Sequence, residues 1–98
     1  MATYVILANW TEQGVADSHN TLSRAGTGAT LLKKMGGKLK SIHWTMGAYD
    51  VVLIIEAPDD ETVTAFCLAA CLQGNVRTTT LRAFDKGELQ GILDRLPG

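Results

Sequence analysis

An α+β domain of the split β-α-β kind is what this sequence predicts, on three observations. The run MGAYDVVLIIEAPDD, Met46 to Asp60, reads in one pass as a tight turn, an apolar strand, a break and a helix start. Thr3–Trp10 (TYVILANW) and Asn75–Phe84 have the β-branched and aromatic content of further strands. Stretches of helical spacing fall between them, so the order along the chain is strand, helix, strand, strand, helix, strand. That order builds a four-stranded antiparallel sheet with helices on one face and leaves the other face bare.

The first strand covers Thr3 to Trp10, after which Thr11 and Glu12 begin a turn or short helix and Asp17–Asn20 forms a polar patch. From Thr21 to Met35, the residues Leu22, Ala25, Ala29, Leu32 and Met35 recur at spacings of three and four and mark one helical face. Gly26 and Gly28 each weaken that helix by up to about 1 kcal/mol relative to alanine, and Gly36 with Gly37 ends it. Lys38–Thr45 alternates as a half-exposed strand, with Lys40, Ile42 and Trp44 on one face and Leu39, Ser41 and His43 on the other. Met46-Gly47-Ala48 turns the chain into a hairpin, because Gly47 can take the backbone that a sharp turn needs. Val51–Ile55, a continuous apolar run, then forms a strand covered on both faces. Pro58 stops it, and Asp59 or Asp60 caps a helix over Asp60–Leu72 that buries Val63, Phe66, Cys67, Ala70 and Cys71. Gly74 closes this helix, a fourth strand spans Val76–Phe84, and Lys86–Leu96 forms a short C-terminal helix containing Gly91.

Ninety-eight residues, 46% hydrophobic and 19% charged, make one domain over residues 1–98. A net charge of -1 and a pI near 6.0 give no electrostatic footprint for nucleic acid. Lys33, Lys34, Lys38 and Lys40 cluster around the glycine pair, but cations at a helix C-terminus are favoured by the helix dipole alone. No stretch approaches the roughly 18 apolar residues of a membrane helix, and the N-terminus lacks the basic region and cleavage site of a signal peptide, so a cytoplasmic protein is expected. Cys67 and Cys71 share a helix face in a core-forming stretch and are expected to be reduced packing residues, with no metal and no cofactor implied. The GTG at Gly26–Gly28 lacks the preceding strand and the lysine of a phosphate-binding loop. Neither a Ser-His-Asp order nor an HExxH helix is present, and no catalytic residue stands out.

Polar and aromatic residues gather at strand positions, and Asn9, Trp10, His43, Tyr49, Asp50 and Arg82 are the ligand-binding candidates among them. A polar group on a packed sheet face needs a hydrogen-bonding mate or a ligand. His43 is a proton carrier or a half-exposed strand residue, since imidazole titrates near neutrality. Asp50 either holds the amine of a small ligand or accepts backbone N–H groups at the turn. Arg77 and Arg82 have opposite parity, so one faces solvent and the other is placed to pair with Glu56 or Asp50.

Gly47, Tyr49 and Asp50, taken with EAPDDE at Glu56–Glu61, GNVRTTTLRAF at Gly74–Phe84 and YVILANWTEQGV at Tyr4–Val15, resemble the GYD domain family of small bacterial and archaeal proteins. The resemblance implies a ferredoxin-like α+β domain that associates through its sheet, and it brings no settled biochemical role. AGTGAT at Ala25–Thr30 departs from the charged, unbroken helix of that family, which predicts a kink or interruption there. The turn, the aspartate and the buried strand are also similar to the effector-binding domain of leucine-responsive regulators, in which the matching region lies near an amino-acid site between subunits. Likeness at the level of a widely used fold leaves function open. The expected function is therefore a small oligomeric binding or regulatory module holding a small metabolite in an inter-subunit cleft. One alternative is a cofactor-independent enzyme of the dimeric α+β barrel type, with His43, Asn9 and Trp10 around an apolar pocket; another is a purely structural assembly subunit. In each reading the first partner is a second copy, in a homodimer or larger ring, because monomers seldom expose a bare apolar sheet.

Overall fold

A computed structural model of residues 1–98 places strands β1 (Ala2–Trp10), β2 (Lys38–Trp44), β3 (Val51–Ala57) and β4 (Val76–Ala83) among helices α1 (Glu12–Ala16), α2 (Thr21–Lys34), α3 (Asp60–Leu72) and α4 (Lys86–Leu93). Local chemistry sets the boundaries. Thr11 caps α1, its hydroxyl accepting the Gly14 N–H. Asp59 caps α3 by accepting the Thr62 N–H at 2.8 Å, just after Pro58 has ended β3. Asp85 and Glu88 form a reciprocal capping box at the start of α4. Gly47, in the β2–β3 turn, has φ +108°, a backbone that a side chain would strain.

The sheet runs β2-β3-β1-β4 with every neighbouring pair antiparallel, the ferredoxin-like α+β arrangement. Register decides what each face carries. Tyr4 lies opposite Ile55 and Arg82, Ile6 opposite Leu53 and Thr80, and Ala8 opposite Val51 and Thr78. This is the face that α2 and α3 cover, and Leu32, Val63 and Phe66 join Tyr4, Ile6, Ile55 and Ala57 there in the buried core. The opposite face has no helix over it. Val5 sits there between Ile54 and Leu81, and Leu7 beside Val52, so an apolar band crosses β3, β1 and β4 with Ile54 37% and Leu81 49% exposed. No helix is long and apolar enough to cross a membrane.

Three details differ from the expected elements. A β-bulge between Leu39 and Ser41 resets the parity of β2, so Leu39, Ile42 and Trp44 pair on the helix-covered side while Ser41 and His43 fall on the bare side. The expected grouping of Leu39 with Ser41 and His43 is thereby corrected. Helix α2 is unbroken from Thr21 to Lys34 despite Gly26 and Gly28. Two glycines weaken a helix by about 2 kcal/mol in total, which burial of Leu32 and partial burial of Leu31 and Met35 against the core offset. Leu22, expected on the buried face of that helix, is 70% exposed. At the C-terminus, α4 and the residues after it are exposed throughout, and the molecule is elongated, 54 × 31 × 19 Å.

Candidate functional site

The two covering helices leave a gap above the sheet, and small residues line it: Ala25, Gly28 and Ala29 from α2, Ala69 and Ala70 from α3. They leave a cavity of about 360 Å³ between the helices and the sheet. Its inner part is apolar, with Ile6, Leu32, Leu53 and Phe66. Its polar residues collect toward the N-terminus of α2 and the C-terminus of α3, where Thr21, Arg24, Gln73 and Asn75 accompany Trp10 and Trp44.

Hydrogen bonds hold both sides of this mouth. On the α2 side, Trp44 Nε1 donates to Thr21 Oγ1 at 3.0 Å, while Arg24 Nη1 donates to the Asp17 carbonyl and to Asp17 Oδ2 at 2.8 and 2.7 Å. Arg24 Nη2 is buried without an acceptor. On the α3 side, the β1–α1 junction is fastened to the α3–β4 junction. The Thr11 N–H donates to the Asn75 carbonyl, the Thr11 hydroxyl to the Gly74 carbonyl, and Gln13 Nε2 to both the Gln73 carbonyl and Asn75 Oδ1. A β-carbon at Gly14 would lie 2.0 Å from the Asn75 oxygen, so only glycine permits this approach. The stretches YVILANWTEQGV and GNVRTTTLRAF, distant in sequence, thus meet beside the cavity mouth.

Of the six candidate ligand residues, the structure brings Trp10 to the cavity. Asp50 lies behind it: Oδ2 accepts the Trp10 N–H at 2.9 Å, and the Asp50 N–H donates to the Ala8 carbonyl, extending the β1–β3 pairing. Tyr49 is half-buried in the same turn, its carbonyl accepting the Thr45 hydroxyl. Asn9 and His43 lie on the bare side of the sheet, both exposed. Arg82 is on the helix-covered side but at the other end of β4, opposite Tyr4. Asn9 and His43 therefore do not converge with Trp10 within one protomer.

The expected arginine pairing is also corrected. Arg82 Nη2 pairs with Glu88 at 2.9 Å, and Glu56 with Lys40 at 3.8 Å. Arg82 and Glu56 point to opposite sides of the sheet, and the α4 capping box sets Glu88 within reach of Arg82. The guanidinium also lies over the Tyr4 and Phe84 rings, 5.6 and 4.5 Å from their centroids. Nearby, the Tyr4 hydroxyl donates to Asp60 Oδ1 at 2.5 Å, and that bond, with burial, pushes the phenol pKa up to about 12. The hydrogen bond from Arg82 holds the Glu88 carboxyl below its ordinary range. Cys67 and Cys71, expected to be buried, are half-buried free thiols, their sulfurs 3.4 and 3.7 Å from the hydroxyls of Thr80 and Thr78.

The residues missed by reading strands alone are those on helices or at a helix end, chiefly Arg24, Thr21 and Gly28 on α2 and Gln73 after α3. Their signal is the pair of small-residue runs, AGTGA on α2 and AAC on α3.

The sequence model of the GYD domain family matches residues 4–93, from β1 to the end of α4. A protein of Thermus thermophilus, the glutamine synthetase and cystathionine beta-lyase binding protein, is 28% identical over 90 residues, covering 91% of this chain and 95% of that one. The matched span takes in all of the sheet but the first two residues of β1, both helices that wall the cavity and the two junctions at its mouth, and on that extent the chain belongs to the GYD domain family.

Proposed function

We propose that the chain is a small self-associating binding module, cytoplasmic, whose further partners are folded proteins. The observation that carries the proposal is the helix-free face of the sheet. Val5, Leu7, Val52, Ile54 and Leu81 form a continuous band there, and each such side chain gains roughly 1.5–3 kcal/mol on full burial. A second copy laid face to face buries the band on both partners at once, as an isologous pair requires. Asn9 and His43 then lie between the copies, where an inter-subunit cleft for a small metabolite would form. The relative in Thermus thermophilus is named for binding two enzymes and is matched over 95% of its length. That supports enzymes as the class of protein partner and a docking role for the assembled domain.

Sedimentation velocity at low micromolar concentration tests the association, on the wild type and on Ile54→Glu, which puts a charge in the middle of the band. The wild type should sediment as a dimer or larger, and the variant as a folded monomer by circular dichroism. A monomeric wild type defeats the proposal. Mixing the associated protein with the glutamine synthetase and the cystathionine beta-lyase of its own organism should shift it into a larger species with one of them. Failure with both withdraws the enzyme partners and leaves the self-association standing.

A further inference from the structure

The cavity between α2, α3 and the sheet lies on the side away from the proposed association face, so a sheet-to-sheet pair leaves its mouth open. We propose that it is a binding site for a small molecule with an apolar body and a single carboxylate, the carboxylate held by Arg24.

Size and lining define the body. A volume of about 360 Å³ falls within the range of about 300–1,000 Å³ common for small-ligand sites. The inner wall of Ile6, Leu32, Leu53 and Phe66 offers no polar partner, which suits an alkyl or aryl group. Gly28 shows that the space is left open by sequence, since a β-carbon there would meet nothing within 4 Å.

The charge defines the head group. Arg24 is the one ionisable cation in the lining, and no acidic residue joins it. Asp17 takes both of its hydrogen bonds on Nη1, leaving Nη2 buried with no acceptor. Arg24 thus brings the one charge of the lining to the cavity, and a carboxylate is the group that a guanidinium pairs with best. Asp17 fixes the guanidinium, reducing the side-chain ordering that binding would otherwise require.

The test uses octanoate, with octan-1-ol as its neutral counterpart, titrated into isotope-labelled protein while amide shifts are followed by NMR. Octanoate should shift the α2 and α3 amides around Gly28 and Ala70 saturably, and octan-1-ol should bind there about tenfold more weakly or worse, the scale of one charge-assisted hydrogen bond. Arg24→Gln should bring the acid down to the affinity of the alcohol. Gly28→Leu should abolish binding of both while melting at a higher temperature, because it fills the cavity and removes a helical glycine. Ile54→Glu should bind octanoate as the wild type does, since the site is complete within one protomer. No saturable shift at these amides, equal affinity for acid and alcohol, retained binding in Gly28→Leu, or loss of binding in Ile54→Glu would each overturn the assignment.

Discussion

The Asp50 carboxylate fixes the end of β1 rather than standing free: Oδ2 takes the Trp10 N–H just past the last ladder pair, Ala8 with Val51. Trp10 carries its indole to the cavity mouth, so a backbone bond made by the aspartate of the turn positions a residue of the site. Asp50→Asn keeps an acceptor oxygen and should lower stability by no more than about 1 kcal/mol, whereas Asp50→Ala orphans a part-buried N–H and should cost about 1–3 kcal/mol. Urea denaturation of the two variants checks this, and equal losses would show that the charge matters rather than the acceptor. Tyr4 gives a prediction in pH. Its hydroxyl keeps its proton in the folded state until about pH 12, against an ordinary value of 10.0. Between those values the unfolded chain releases a proton that the folded chain retains, so stability falls as pH rises through that window. The stability advantage of the wild type over Tyr4→Phe should be constant below pH 10 and should shrink from there toward about pH 12. A difference that stays flat across the window would mean that Asp60 does not hold the phenol proton.

Among the elements, β3 and α3 are legible in the sequence because one run carries all their signals: an apolar strand, a proline that cannot continue it, and an aspartate at the cap. Strand β2 is legible as a strand but not in its facing. Counting alternate residues assumes that none is inserted, and the bulge near Lys40 breaks that assumption through its pairing with β3, a partner that the local sequence does not name. Helix α2 shows the limit of propensity, since Gly26 and Gly28 argue for a break while the tertiary contacts of Leu31, Leu32 and Met35 keep the helix whole. The site is the hardest to read. Candidates chosen as polar strand residues divide between the two sides of the sheet, with Trp10 and Arg82 on one and Asn9 and His43 on the other. Their parities become comparable only when the register between strands is known. A cavity is harder still, because it is made by missing side chains on two helices far apart in sequence. The runs AGTGA and AAC contribute to it only once α2 and α3 lie side by side.

At the scale of the whole molecule, α4 is the element that its own protomer does not explain. Leu89, Ile92, Leu93 and Leu96 recur at spacings of three and four and are 48%, 40%, 47% and 65% exposed. They form an apolar stripe that the protomer leaves about half exposed. The capping box and the Arg82–Glu88 pair start the helix, yet an isolated helix shorter than about 12–15 residues is marginal in water, and α4 has 8. Its persistence is expected to depend on covering the stripe, and a second copy is the cover that this reading supplies. Hydrogen exchange links the two. In the associated wild type, amides of Lys86–Leu93 should exchange slowly, and they should become fast on dilution to monomer, while those of β1 and β3 stay protected in both states because the core of one protomer buries them. In Ile54→Glu, which carries no change in or near α4, the same amides should be fast at every concentration. Slow exchange of α4 in that variant would show that the helix is stable on its own protomer, and the C-terminal stripe would then have to be separated from the association of the sheet.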